Sequence, residues 1–264
     1  MSDSISTFIL GVIEGVTEFL PVSSTGHLLI AEQWLGQRSE LFNVAIQSGA
    51  ILAIVLIYFR RLSGFVVGIS APENRDYVAK LFVAFLITSV LGLTAEHFGF
   101  KLPQTVLPVA IATFVGGFAI LAIEQYVARK PLSSVVTWNV AIWVGVCQIL
   151  AGVFPGTSRS GATIFAAMLA GLTSRPAATE FSFLLGIPVM FAATALEFWK
   201  TRSNHGQIDW SELTIGFVTS AVVAFIVVKW LLRYVQTHRF TIFAWYRIVL
   251  GGVLLVLIWR GVVH

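Results

Sequence analysis

Long apolar runs without a charged residue alternate with short charged segments along this chain of 264 residues. The uncharged runs are Leu41–Phe59, Leu102–Ile123, Pro131–Ser158, Phe181–Leu196 and Leu213–Val228. A helix needs roughly 20 apolar residues to cross the hydrocarbon core of a bilayer. The pattern therefore predicts six membrane-spanning helices, at about 41–59, 79–95, 104–124, 181–199, 213–233 and 240–259.

Two further segments, 5–36 and 138–172, are apolar but interrupted. The first turns at Pro21–Gly26 and carries two glutamates before the turn, and the second turns at Pro155–Gly161. Each is predicted to form a re-entrant helical hairpin, because a broken backbone is tolerated at membrane depth only where protein or a wet cavity surrounds it. The expected fold is an all-α integral membrane protein with six transmembrane helices and two re-entrant hairpins, in a single membrane domain over 1–264.

Composition agrees with a membrane protein. Hydrophobic residues make up 57% of the chain and charged residues 11%, against about 25% charged residues in soluble domains. The net charge of +4 is explained by membrane orientation, so no nucleic-acid partner is expected. The single cysteine, Cys147, excludes a disulfide within one chain. Asp3 and Glu14 argue against a cleavable signal peptide, so the first segment is expected to remain in the mature protein.

The two interrupted segments superpose when the chain is shifted by 134 residues. The matched pairs are Gly11-Val12 with Gly145-Val146, Glu14 with Gln148, Pro21 with Pro155, Ser23 with Thr157, and Ser24 with Ser158. This predicts an internal repeat with halves at about 1–130 and 131–264. Interrupted hydrophobic segments at corresponding points of two halves indicate a binding site near the bilayer midplane.

Loop charges predict the orientation. In the six-helix scheme one side collects Arg60, Arg61, Arg75, Lys80, Arg129, Lys130, Lys229, Arg233 and Arg239. The positive-inside rule makes that side cytoplasmic. Both termini then lie outside, the two halves are inverted relative to one another, and the tips of the two hairpins meet within the membrane.

The first hairpin carries an acidic pair and a polar turn. Glu14 and Glu18 share a helix face, and two close carboxylates in a low dielectric either hold a cation between them or keep one proton. The following turn and helix start predict an anion cradle of backbone amides and hydroxyls, with an activated nucleophile or an acid–base relay three residues apart at Ser24 and His27. The residues of this cradle are Ser23, Ser24, Thr25 and Gly26.

Arg159 dominates the second turn, since it is the only charge between Lys130 and Arg175. Arginine binds phosphate oxygens in bidentate fashion and stays charged in apolar surroundings. Three hydroxyls accompany it as candidate phosphate ligands, namely Ser158, Ser160 and Thr163. Together the two turns predict a phosphate-binding site within the membrane.

Weaker candidates lie outside the two turns. Gln47 and Glu180 fall at similar points of the two halves and could line the cavity. Three charged residues near span ends are interpreted as interfacial: Glu124, Glu197 and Arg247. The remaining histidines are interpreted as loop or terminal residues without a chemical role: His97, His205, His238 and His264.

Two runs of residues carry a resemblance to a known family. The first is Glu-x-x-x-Glu-Phe-Leu-Pro-Val-Ser-Ser-Thr-Gly-His, from Glu14 to His27, and the second is Pro155-Gly-x-Ser-Arg-Ser-Gly-Ala-Thr163. Together they resemble the motifs of the undecaprenyl-diphosphate phosphatase, or bacitracin-resistance, family. Further matches are Ile46-Gln47-x-Gly49, Glu180-Phe-Ser-Phe-Leu-Leu and Tyr246-Arg247, so the resemblance covers nearly the whole chain. The loops at 70–80 and 96–105 are short, which is a departure.

The resemblance implies a multi-pass enzyme of the bacterial inner membrane with its site on the periplasmic side. Such an enzyme removes the terminal phosphate of undecaprenyl diphosphate, recycles the lipid carrier of cell-wall synthesis and confers bacitracin resistance. It also implies dependence on a divalent cation, Mg²⁺ or Ca²⁺, and a homodimer.

A mechanism follows as a hypothesis from the residues. Arg159, the three hydroxyls beside it and the turn amides would hold the phosphates. Glu14 and Glu18 would place the divalent ion and supply a base. Ser24 or an activated water would attack the terminal phosphorus, with His27 relaying the proton, and the identity of the nucleophile stays open among Ser24, His27 and water.

Two alternatives stay open at this point. An inverted repeat with broken helices is typical of transporters, so a lipid-phosphate flippase could use the same phosphate site. A phosphatase of the type-2 phosphatidic-acid phosphatase superfamily also carries Ser-Gly-His and Ser-Arg motifs. The chain departs from that pattern, because Ser24-Thr25-Gly26-His27 replaces Pro-Ser-Gly-His and the next histidine after His97 is His205.

Overall fold

The computed structural model describes residues 3–98, 105–203 and 209–261, and helices dominate all three stretches. The helices are α1 Asp3–Thr17, α2 Ser24–Leu35, α3 Glu40–Ile57, α4 Phe59–Val67, α5 Pro72–His97, α6 Val106–Val127, α7 Trp138–Cys147, α8 Ile149–Val153, α9 Arg159–Leu169, α10 Arg175–Ser203, α11 Trp210–Thr237 and α12 Thr241–Trp259. The all-helical prediction is confirmed for these residues. His205 and His264 lie outside them.

Six of the helices, α3, α5, α6, α10, α11 and α12, are long and apolar enough to cross a membrane. Each coincides with one predicted span, so this is a multi-pass membrane protein. The main differences are at helix ends. For example, α5 begins at Pro72 and α10 at Arg175, several residues before the apolar stretches. Bilayer thickness fixes the length of the apolar stretch, whereas a helix continues into the polar interface with residues such as Arg75 and Glu180.

Each interrupted segment folds as a helix–turn–helix unit. In the first, α1 packs against α2, and in the second, α7 packs against α9. The second unit contains an extra break at Gln148, where α7 ends and the short α8 begins. The sequence pattern missed that break, and it also missed α4 in the 60–80 loop.

Close helix approaches hold the bundle together at small residues. A Cβ built at Gly11 would lie 2.9 Å from the Gly216 carbonyl oxygen, and one at Gly15 would lie 2.8 Å from that of Ser220, so α1 rests directly on α11. Small residues allow such backbone contact between membrane helices. Large apolar side chains cover the outside of the bundle, including Val90, Val222, Ile226 and Val249.

The two turns meet at the centre of the bundle. Ser160 Oγ donates to the Leu20 carbonyl oxygen at 3.0 Å, which joins the second turn to the first. Gly156, at φ +93°, lies against the backbone of Val109, and the α6 segment around Val109 also contacts Gly26. The two turns are therefore in contact, and this contact positions the candidate site.

Candidate active site

Both turns end in a serine with an unusual backbone. Ser23 (φ 75°) and Ser158 (φ 71°) are the only non-glycine residues with positive φ in the described part of the chain. Each caps the helix that follows: Ser23 Oγ accepts from Gly26 N at 3.4 Å, and Ser158 Oγ accepts from Gly161 N at 3.1 Å. Strained non-glycine residues of this kind concentrate at functional sites, because the surrounding structure must hold them in place.

This geometry corrects the pairing of the two turns. The cap Ser23 corresponds to the cap Ser158, whereas the constant shift had paired Ser23 with Thr157 and Ser24 with Ser158. The second turn contains one residue more between its proline and its cap. In consequence Ser24 corresponds to Arg159, and each is the first residue of its helix.

Glu18 joins the two turns chemically. Its Oε2 accepts from Ser24 Oγ at 2.5 Å, and its Oε1 accepts from Arg159 Nη2 at 2.7 Å. Glu18 and Ser24 are buried and Arg159 is half-buried, so a charge-assisted network of three residues lies largely inside the protein at the point where α2 and α9 begin. A serine that donates to a buried carboxylate has the arrangement of a nucleophile and its base.

Glu14 lies one helical turn before Glu18 and is fully buried. Neither of its carboxylate oxygens has a hydrogen-bond partner among the described residues. A buried carboxylate is costly unless it is paired or protonated. Glu14 is therefore the one acidic group of the site whose oxygens remain available to a proton or a cation.

The Arg159 guanidinium is closely packed on several sides. It lies 5.6 Å from the centre of the Phe19 ring, and Nη2 also contacts Met190 Sδ at 2.9 Å. Nη1 is buried and has no partner among the described residues. A Cβ at Gly186 of α10 would lie 2.5 Å from Nη1, so the absence of a side chain there makes room for the guanidinium.

The three hydroxyls predicted to be phosphate ligands all form hydrogen bonds within the protein, and their role toward phosphate stays a prediction. Ser158 Oγ and Ser160 Oγ lie 3.1 Å apart, and both contact the Leu20 carbonyl oxygen. Thr163 Oγ1 donates to the Arg159 carbonyl oxygen at 2.8 Å and is hydrogen-bonded to Ser182 Oγ. These hydrogen bonds stabilise the contact between the two turns, because they join the second turn and α9 to the Leu20 carbonyl and to Ser182 of α10.

No hydrogen bond joins the side chains of His27 and Ser24 in the described part of the chain, so the relay between them stays a prediction. Its Nδ1 donates to the Ser23 carbonyl oxygen at 2.7 Å. That tautomer leaves Nε2 as an acceptor for the Tyr246 hydroxyl at 2.6 Å. Thr25 is exposed beside this pair, and Gly26 packs on α6.

Arg247 is the functional residue that sequence reasoning misplaced. It is not interfacial but 1% exposed, and it donates to five backbone carbonyls from three segments. The acceptors are Ala112 and Thr113 of α6, Pro21 of the first turn, and Gly156 and Thr157 of the second. An arginine within the last apolar span was a signal, since charges at that depth are rare without a partner or a task.

A match between the sequence and a protein-family model shows which family the chain belongs to. The model described as "Bacitracin resistance protein BacA" matches residues 7–253. The chain belongs to this family. Among relatives, it is 60% identical over 255 residues, 96% of both chains, to a protein of Rhizobium etli named undecaprenyl-diphosphatase. A protein of the same name from Xanthomonas oryzae is 54% identical over 258 residues, 97% of both chains.

Other candidates lie away from the centre of this BacA-family site. Glu180 forms an ion pair with Arg61 of α4 at 3.4 Å and lies six residues before Gly186 on α10. Gln47 lies one turn before Ile51, whose Cδ1 faces Gly186, and no hydrogen bond joins it to the described site residues.

Glu124 is fully buried rather than interfacial. It accepts from Arg175 Nε at 2.9 Å and from Phe240 N at 2.9 Å, far along α6 from the turns. His97 and His238 are exposed, as expected for residues at helix ends.

Proposed function

We propose that this chain is an undecaprenyl-diphosphate phosphatase, which hydrolyses the phosphoanhydride to give undecaprenyl phosphate and inorganic phosphate. The observation that carries the proposal is the buried contact of Glu18 with both Ser24 and Arg159 between two helix N-termini. The names of the Rhizobium and Xanthomonas relatives support the substrate. Such an activity would recycle the carrier lipid for cell-wall synthesis and confer bacitracin resistance.

In the proposed first step, Ser24 Oγ attacks the terminal phosphorus and its proton passes to Glu18 Oε2. The bond from that phosphorus to the bridging oxygen breaks, and the polyprenyl monophosphate leaves. Arg159 and the free amides at the starts of α2 and α9 stabilise the charge on the transferring group, which is the main catalytic contribution in phosphoryl transfer.

In the second step, water hydrolyses the phosphoserine. The Glu18 proton is lost to the leaving lipid phosphate, so Glu18 is again a carboxylate and takes a proton from the attacking water. The bond between phosphorus and Ser24 Oγ then breaks, Glu18 gives its proton to that oxygen, and inorganic phosphate leaves, so that the Ser24 hydroxyl and the Glu18 carboxylate are both restored. His27 is assigned a positioning role, since its ring nitrogens are held by Ser23 and Tyr246 rather than by Ser24.

The donor set fits a divalent cation at Glu14. Both Glu14 oxygens are buried without a partner among the described residues, and hard cations such as Mg²⁺ and Ca²⁺ prefer oxygen ligands. Glu18 is committed to Ser24 and Arg159, so Glu14 would hold the ion together with oxygens of the substrate. A bound cation would supply further charge stabilisation for the diphosphate.

We also propose that the two helix–turn–helix units are re-entrant and that the halves form an inverted repeat. Reciprocal packing supports this. A Cβ at Gly117 would lie 2.6 Å from Ile248 Cγ1, and one at Gly251 would lie 2.7 Å from Phe114 N. Gly117 and Gly251, like Phe114 and Ile248, are separated by the repeat offset of 134 residues. Likewise α1 packs on α11, and α7 packs on α5.

The proposed location is the bacterial inner membrane, with both termini and the active site on the periplasmic side. The grouping of Arg129, Lys130, Arg233 and Arg239 at one end of the bundle supports this orientation. In a cysteine-free Cys147→Ala background, an impermeant maleimide should label Ser4→Cys on intact cells and should not label Ser70→Cys. The reverse labelling would overturn the orientation.

The test of the function is phosphate release from a C55 diphosphate by the purified chain in detergent, with Mg²⁺ or Ca²⁺ and then with EDTA. We expect phosphate release that is lost in Glu18→Gln and retained in Glu180→Gln, because Glu180 pairs with Arg61 and not with Ser24 or Arg159. If the folded chain binds the lipid without releasing phosphate, the hydrolase proposal fails and a lipid-phosphate transporter becomes the better hypothesis.

A further inference from the structure

A polar cavity lies at the end of the bundle where α6 finishes. It has a volume of about 240 Å³, and three cationic side chains line it: Lys130, Arg175 and Arg239. Lys130 follows α6, Arg175 is the first residue of α10, and Arg239 lies between α11 and α12. No carboxylate belongs to the lining among the described residues.

This cavity is separate from the candidate active site. Thr113 of α6 accepts from Arg247 beside the two turns, and Val127 of the same helix lines the cavity. The 14 residues between them correspond to about 21 Å along a helix. None of the residues of the Glu18 network lines the cavity, so its positive charge serves no step of the proposed hydrolysis.

Arg175 is fixed in place before any ligand arrives. Glu124 is 1% exposed and accepts from Arg175 through both carboxylate oxygens, and it also accepts from Phe240 N. These bonds use three of the roughly four acceptor sites of the Glu124 carboxylate, while Arg175 Nη1 makes no hydrogen bond within the described residues. A guanidinium held by two of its nitrogens is pre-organised to offer the third to an anion.

The neighbouring residues indicate what carries the anion. Leu132 lines the same cavity and is 82% exposed, and Val135 beside it is 67% exposed. Lys130 Nζ lies 4.7 Å from the ring centre of Tyr126, an aromatic residue of the kind that occupies the membrane interface. A cationic cavity edged by exposed apolar side chains matches a phosphate headgroup joined to acyl chains. Basic pockets between membrane helices bind anionic lipid headgroups in this way.

We infer that the Lys130–Arg175–Arg239 cavity binds a phosphate group, carried by an anionic glycerophospholipid of the leaflet next to the end of α6. Neither Lys130 nor Arg239 forms an ion pair within the stretches that the structure describes. The lipid would bridge the α6, α10 and α12 ends and stabilise their packing.

The experiment uses the full chain in a neutral detergent. Phosphatidylglycerol should raise the midpoint of thermal unfolding by about 3 °C or more relative to phosphatidylcholine, because a ligand of the folded state stabilises it. The double variant Lys130→Gln/Arg239→Gln should lose most of this shift. The matched double variant Arg129→Gln/Arg233→Gln removes two exposed charges outside the cavity lining and should keep it.

Phosphate release measured in the same detergent should be equal for all three chains, since the cavity lies outside the active site. Equal stabilisation of the two double variants by phosphatidylglycerol would overturn the inference. Inorganic phosphate is compared with sodium chloride of equal ionic strength. If it raises the unfolding midpoint as much as phosphatidylglycerol does, the cavity binds free phosphate and the proposed lipid ligand is wrong.

Discussion

Arg159 Nη2 donates to Glu18 Oε1 at 2.7 Å across the contact between the two motif turns. The two residues are far apart in sequence, and each stands where a polar turn interrupts an apolar segment. The Arg159–Glu18 pair therefore forms only when the two turns are held in contact.

Replacement of Ser24 by alanine should lower the rate of phosphate release by at least about 100-fold with little change in stability, because the nucleophile is lost while the buried Glu18–Arg159 pair remains. Thr25→Ala is the matched control, since Thr25 is exposed and adjacent. Purified variants assayed with a C55 diphosphate give the comparison. Near-normal turnover of Ser24→Ala would assign the attack to water.

Glu14→Gln should raise the Mg²⁺ or Ca²⁺ concentration needed for half-maximal activity by roughly tenfold or more, because a neutral amide replaces the carboxylate whose oxygens have no protein partner. Folding should be preserved, since an uncharged side chain of the same shape is less costly to bury. A metal titration of both chains measures the shift. An unchanged titration midpoint would show that Glu14 does not bind the cation.

Gly186→Ala should reduce turnover by roughly tenfold or more, because the new Cβ would lie 2.5 Å from Arg159 Nη1 and displace the guanidinium from Glu18. Stability should change little, since a long side chain can move aside and alanine favours a helix. Gly92→Ala on α5 is the control, because nothing lies within 4 Å of its Cβ. Equal activity of the two variants would contradict the inference that the Arg159 guanidinium needs the open space at Gly186.

Arg247→Met should destabilise the protein by several kcal/mol, since buried carbonyls of both turns lose their donor and each unsatisfied group costs about 1–3 kcal/mol. A large fall in the thermal unfolding midpoint is the expected result. Arg260→Met, at the exposed end of the same helix, should leave it unchanged. An Arg247→Met protein as stable and as active as the parent would show that the turns hold together without the guanidinium.

Tyr246→Phe removes the hydroxyl that donates to His27 Nε2. One neutral hydrogen bond contributes about 1 kcal/mol, so turnover should fall by roughly fivefold if the orientation of His27 matters. Trp245→Phe, at the exposed neighbouring position, should have no effect. A loss as large as that expected for Ser24→Ala would instead place Tyr246 in the proton-transfer chemistry.

Local sequence patterns were sufficient for the membrane class, the six spanning helices and the position of the two turns. Apolar length is set by the bilayer, and proline, glycine and charges inside an apolar segment mark its interruptions. The same cost of burying charge also singled out Glu14, Glu18 and Arg159 as the residues that need a task.

Only the tertiary structure decided which polar groups are available for chemistry. Ser158, Ser160 and Thr163 are engaged with Leu20, Arg159 and Ser182, and His27 with Tyr246, through contacts that mostly join distant parts of the chain. Spacing along a helix predicts which residues share a face, but it cannot predict a partner from another helix. For the same reason the buried role of Arg247 and the one-residue offset between the capping serines emerged only from the folded bundle.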